Sequence, residues 1–333
     1  MFSDSPPFNN QSQTSASQSR QFGYNIDFIG LFPLPAYDVP NSRHGLIACN
    51  HEYTNPELMF PGYTSTASQT QDQTKIELAA HGCSVVEVRG NADGRWESVQ
   101  GSRYNRRLTA TSEFQISGPA AGHDMMKTAQ DPTGRLVLGT LNNCAGGKTP
   151  WGTYLTAEEN FYQYFSNATT NDPALQAHFT RYGMPAAAGD YPWARFNSRL
   201  DAIREPNESN RFGWIVEFDP YNPGSIPKKR TALGRFRHEA CMLAVNRDGR
   251  VVAYSGDDER FHYAYKFVSK GQFNAFTREA NFELLDEGTL YVAKFSADGT
   301  GEWLPMVQGQ GPLTAANGFT NQGDVVIKAR QAG

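Results

Sequence analysis

The stretch NNCAGGKTPWGTYLTAEENF (142–161) gathers residue types that catalysis uses: a cysteine, a lysine in a glycine-rich loop, and the adjacent carboxylates Glu158 and Glu159. Its GGKT tetrapeptide invites a phosphate-cradling reading. That loop needs a glycine five positions before Gly147, where this chain has Asn142, and no apolar strand runs into the turn. Nucleotide binding is therefore rejected. What remains is a Gly/Pro-rich loop, a strand over 151–156 and the carboxylate pair. Neighbouring residues of a strand point to opposite faces, so at most one of the two glutamates joins a given site unless the chain bends there. Taken alone, such a pair reads as a solvated surface.

Three further clusters change that weighting. IACNHEYTN (47–55) sets Cys49, Asn50, His51 and Glu52 at the end of an apolar strand. GRFRHEACM (234–242) places Arg235, Arg237, His238 and Glu239 at the entrance to another. YSGDDERFHYAYKF (254–267) ends a strand in Gly256 and then presents Asp257, Asp258, Glu259 and Arg260. Acidic groups meeting at one place repel unless cations neutralise them. Carboxylate and amide oxygens suit calcium, whereas a thiolate from Cys49 or Cys144 recruits a softer or transition metal such as iron. Arginines beside such a cluster suit a phosphate, which paired N–H donors can grip. Each feature also has a purely structural reading. His51 and His238 can be satisfied within loops, the DDER run can be a salt-bridged connection, and Lys228–Lys229–Arg230 reads as a solvated turn. GPAAGHD (118–124) reads as a tight turn from which His123 or Asp124 could reach a central site. No Ser–His–Asp arrangement stands out.

These residues need a scaffold, and the rest of the chain describes one. An apolar strand, a turn ending in glycine and a second strand recur at 83–99, 123–140, 240–255 and 289–305, with a looser copy at 213–224. Asp supplies a side-chain bond to the turn and Gly the positive φ that hairpins require. With 31 Gly, 19 Pro, 12% aromatic and only 39% hydrophobic residues, the 333-residue chain suits an all-β protein rich in loops. The uneven spacing of the turns excludes strict short-period repeats, and divergent β-propeller blades with long inserted loops and a few short helices fit best. Strand ends are where such blades gather functional groups. Residues 1–20 read as a polar, disordered lead-in, Thr64–Thr74 and roughly 166–210 as irregular inserts, and 21–333 as one domain whose end, DVVIKARQAG, looks like a late strand. A net charge of −4 argues against a nucleic-acid stripe. The four cysteines contain no CxxC pair, no stretch reaches membrane-span length, and no signal peptide is visible.

In order along the chain, QFGYNIDFIGLFPL (21–34), NHEYTNPELMFPG (50–62), GPAAGHDMMKT (118–128), NCAGGKTPWGTYLTAEENF (143–161), GWIVEFDP (213–220), GRFRHEA (234–240) and YSGDDERFHYAYKFVS (254–269) resemble the PhoX family of alkaline phosphatases. The resemblance implies a six-bladed propeller with calcium and iron (Ca2+, Fe3+) at its centre, hydrolysing phosphate monoesters in the periplasm or outside the cell, as a monomer without nucleic-acid or membrane partners. It implies that Glu158 and Glu239, with Glu52 and Glu159 beside them, hold metal ions. Asp257 or Asp258 would be a calcium ligand, and Cys49 or Cys144 the thiolate on iron, with Cys49 slightly favoured for its place beside Asn50 and Glu52. Arg237 would contact the phosphate, with Arg260 a weaker second contact and Asn50 a further catalytic group. Family members begin with a twin-arginine export signal and continue well past the end of this chain, so the resemblance also implies an incomplete ring here. The competing readings are a calcium-dependent propeller hydrolase of lactones or phosphotriesters, and a non-catalytic calcium-binding propeller.

Overall fold

The computed structural model describes residues 1–333. Strands dominate it and assemble into three sheets, none of which closes on itself. The first sheet holds β1 (Ile26–Pro33), β2 (His44–His51), β3 (Gly82–Gly90) and β4 (Trp96–Ser98) in that order, with β5 (Arg106–Leu108) also on β3. The second comprises β6 (Glu113–Ser117), β7 (Leu136–Leu138), β8 (Asn143–Lys148), β9 (Tyr154–Glu158), β10 (Ile215–Phe218) and β11 (Lys228–Arg230). Its order is β7-β6-β11-β10-β9-β8, and the β6–β11 pairing is parallel. The third is an antiparallel meander of β12 (Met242–Val245), β13 (Arg250–Gly256), β14 (Ala264–Gln272), β15 (Gly288–Phe295) and β16 (Gly301–Pro305).

The hairpins expected at NADG, NRDG and SADG all form, linking β3 to β4, β12 to β13 and β15 to β16. In the second, the Asn246 N–H donates to the Arg250 carbonyl at 2.8 Å and Gly249 sits at φ +83°, where a Cβ would be strained. The second sheet lies between the other two. Tyr154, Val216 and Phe218 pack with Phe32, Leu46 and Val85 of the first sheet, whereas Leu155, Ala157 and Ile215 pack with Ala253, Tyr265 and Leu290 of the third. Alternation along β9 thus assigns even-numbered residues to one core and odd-numbered ones to the other.

Helices are short: α1 (Ser15–Gln18), α2 (Pro56–Met59), α3 (Gln71–Ala80), α4 (Pro173–Arg181), α5 (Gln322–Ile327) and α6 (Ala329–Ala332). None is long and apolar enough to cross a membrane. Two segments depart from the strand reading. DVVIKARQAG is helical, because Asn321 caps α5 by accepting the Asp324 N–H at 3.1 Å, and Val325, Val326 and Ile327 are buried. A short continuous apolar run does not by itself distinguish a buried strand from a buried helix. HDMMKTA forms a 3-10 turn over Asp124–Met126, with the His123 ring accepting the Met125 N–H at 3.1 Å. In the lead-in, the Gln18 side chain is buried and the Met1 carbonyl accepts from the Asn105 amide at 2.6 Å.

Candidate metal centre

Carboxylates from all three sheets approach one another at strand ends. Glu52 follows β2, Glu159 follows β9, Glu239 precedes β12 and Asp258 follows β13. One oxygen each from Glu159, Glu239 and Asp258 lies within 4.8 Å of the others. None of these side chains, nor Glu52, enters an ion pair with a basic residue, whereas Asp257 and Glu259 next to them both do.

The cost of that arrangement appears in the protonation equilibria. Burial, then hydrogen bonding and repulsion from Asp258 and Glu239, push the Glu159 carboxyl up to about 8. Burial, then Asp258 and more distant carboxylates, raise Glu239 to about 7, and burial with Asp27 raises Glu52 to about 7. Without cations the folded state therefore keeps protons that an unfolded chain, with glutamates near 4.5, has already released. Stability from these groups is present below that value and is lost as pH rises through 7 to 8. We predict that the melting temperature of chelator-treated protein falls between pH 7 and 8, above the range in which the buried His51, His81, His178 and His238 take up protons on unfolding and oppose the trend, and that calcium abolishes the slope. A flat or rising melting temperature in chelator would contradict this assignment.

The backbone explains why the cluster includes Glu159 and not Glu158. Glu158 shares the even-numbered face of β9 with Tyr154 and is fully buried. Its Oε1 accepts from Lys229 Nζ at 2.7 Å and Thr140 Oγ1 at 2.9 Å, and its Oε2 accepts the N–H groups of Gly213 and Trp214 at 3.1 and 3.2 Å. Glu159 takes the odd face, toward the third sheet. Its N–H donates to the Asn142 carbonyl at 3.1 Å, and the Asn142 side chain accepts the Asn160 N–H at 2.6 Å. Asn142, at φ +50°, turns the chain so that both contacts form.

Lys229 corrects the solvated-turn reading of 228–230. It occupies β11 between β6 and β10, is buried, and lies 3.9 Å from the centroid of the Phe212 ring. Burial lowers its ammonium to about 8 despite Glu158. Arg230 is also buried, on Glu217 at 2.8 Å and Asp286 at 2.7 Å.

Other expected site residues are tied up in the fold. Asp257 is buried and holds Arg330 through two bonds of 2.7 and 2.5 Å. Asn50 is buried, donating to the Cys144 carbonyl and accepting the Tyr154 hydroxyl at 2.9 Å. The Arg237 guanidinium pairs with Glu259 and stacks 3.9 Å from the Tyr162 ring. Arg260 is exposed. His238 is buried between Ser255 Oγ and the Gly234 carbonyl, both at 2.8 Å, which accords with its structural reading. His51 meets Ser84 Oγ at 2.6 Å.

All four cysteines are buried thiols. Burial pushes Cys49 up to about 12. Cys144 Sγ lies 3.3 Å from the Glu239 carbonyl and 3.4 Å from that of His238, and burial followed by Glu159 and Glu239 drives its thiol far above the ordinary range. Cys144 is thus the cysteine that feels the cluster. The oxygen-rich, negatively charged set, with no basic partner and a thiol alongside, fits bound cations. Sequence reasoning missed Asp27, on β1, which acts on both Glu52 and Glu239. Its signal was an isolated acid in the apolar run IDFIGLF.

A family model described as alkaline phosphatase PhoX matches residues 1–333. The chain belongs to the PhoX family. Among solved structures, it is similar to "Pseudomonas fluorescens PhoX in complex with vanadate, a transition state analogue", with a TM-score of 0.92 and 45% sequence identity. That match covers 99% of this chain and 57% of the neighbour's, so the chain spans somewhat over half the length of that PhoX protein. No curated protein sequence matches.

Proposed function

We propose that this chain carries a metal-dependent phosphatase site acting on phosphate monoesters. The observation that carries the reading is the meeting of Glu159, Glu239 and Asp258 within 4.8 Å without a basic partner, in a chain of the PhoX family whose solved neighbour was captured with vanadate. Such a cluster repels a phosphate dianion unless cations are present, so substrate binding depends on them. Glu159, Glu239 and Asp258, joined by Glu52, would hold the cations, which we take to be calcium and iron. Cys144, the thiol in contact with the Glu239 and His238 carbonyls, is the better-supported donor to iron. When bound, the metals supply charge neutralisation at the phosphate and an activated oxygen nucleophile.

The protein's own groups then hold and orient. Of the two expected phosphate contacts, Arg260 is exposed, forms no ion pair and follows Asp258 by two residues, so we take it as the arginine that meets the phosphate. Arg237 would reach it only by releasing Glu259. Arg260→Ala should lower kcat/KM roughly 10- to 100-fold, the worth of one charge-assisted contact, chiefly through KM. An unchanged KM would remove Arg260 from the site. We further take the three sheets to be blades of a propeller, and the protein to be a periplasmic or secreted monomer. Glu158, Asp257, Cys49 and Asn50 are assigned to the scaffold.

The test is metal analysis of the purified chain beside hydrolysis of 4-nitrophenyl phosphate and of a lactone. Monoester turnover that chelation removes and calcium with iron restores is expected. Absence of bound metal, or lactone turnover equal to ester turnover, would overturn the reading.

A further inference from the structure

A cleft of about 570 Å³ opens beside the carboxylate cluster. Glu52 forms part of its wall, and so do Asn160, the chain neighbour of Glu159, and Asn142, whose carbonyl accepts the Glu159 N–H at 3.1 Å, so the cleft and the cluster adjoin. Tyr53, Tyr63 and Tyr191 contribute to the rest together with Glu57, Asp190 and neutral polar side chains, and no lysine or arginine does. Tyr191 is anchored by stacking on Tyr164 at 4.5 Å. Tyr53 is instead 39% exposed, and Glu57 and Asp190 both face solvent. Electron-rich rings beside carboxylates, with no competing base, form the environment that holds quaternary or protonated amines. The same wall repels a second anionic group.

We propose that this cleft receives the alcohol portion of the phosphate ester and selects alcohols bearing an ammonium group over alcohols bearing a further acid. The proposal rests on the phosphatase reading for its placement next to the reacting phosphate, while the amine site itself can be tested without turnover.

Choline, free of phosphate, is titrated into the metal-loaded chain and followed by calorimetry. Saturable binding is expected, weakened roughly tenfold by Tyr53→Leu and by Glu57→Gln combined with Asp190→Asn, the scale of one cation–π or ion contact. All three positions are exposed enough to tolerate replacement. In parallel, kcat/KM for phosphocholine should exceed that for 3-phosphoglycerate by at least roughly tenfold, and the charge-neutralised variant should bring this ratio toward one. Absence of saturable choline binding, or preference for phosphoglycerate, overturns the proposal. Choline binding with no turnover of either ester or of 4-nitrophenyl phosphate supports the amine site and counts against the phosphatase reading instead.

Discussion

Glu159→Gln is expected to strip the protein of bound metal and to lower monoester hydrolysis by roughly a hundred- to a thousandfold, while leaving the fold intact. Glu159 sits at a strand end, and its carboxylate accepts no bond from a basic side chain, so the amide removes negative charge without stranding a buried partner. In chelator the variant should be at least as stable as the parent at pH 8, because the repulsion that Glu239 and Asp258 exert on the Glu159 carboxylate is gone. Metal analysis, activity and thermal melts at that pH check all three statements. Retention of metal and activity would remove Glu159 from the centre. Loss of stability in chelator would show that its carboxylate is structural.

Lys229→Ala gives the second large effect, of a different kind. The ammonium is the only cation on Glu158, and both are fully buried. Removing it leaves an uncompensated carboxylate, which typically costs about 3–5 kcal/mol. That is a large part of the stability of an ordinary domain. Urea denaturation should show the loss, with Glu158→Gln combined with Lys229→Met recovering much of it, since neutralising both partners removes the stranded charge. A loss below about 1 kcal/mol for Lys229→Ala would mean that Glu158 is solvated or neutral in the folded state. Neighbouring glutamates are therefore expected to fail in opposite ways: Glu159 through metal and activity, Glu158 through stability.

Much of this architecture was readable in advance. The NADG, NRDG and SADG turns declare their hairpins because Asp and Gly encode the turn locally. The strand-end acids were recognisable as ligand chemistry only as a wider set that also held Glu158 and Asp257 and favoured Glu158 over Glu159, and the ordered motifs pointed to the family. The late helix α5 was not readable, because VVI satisfies a buried strand and a buried helix equally well. The basic run 228–230 misled for a related reason: composition reports charge but not whether a carboxylate waits across the sheet.

Residue type and local spacing by themselves determined which groups could bind cations and that Glu158 and Glu159 must face opposite ways. Only the packing of the second sheet between the other two decided which of them meets Glu239 and Asp258. The odd face of β9 turns toward the third sheet, and the even face buries Glu158 against Lys229. Tertiary structure likewise divided Asp257 from Asp258, giving the first to Arg330 and the second to the cluster. A charge's role depends on which opposite charge is near enough to neutralise it, and Lys229 and Arg330, the permanent cations on Glu158 and Asp257, both lie far away in sequence.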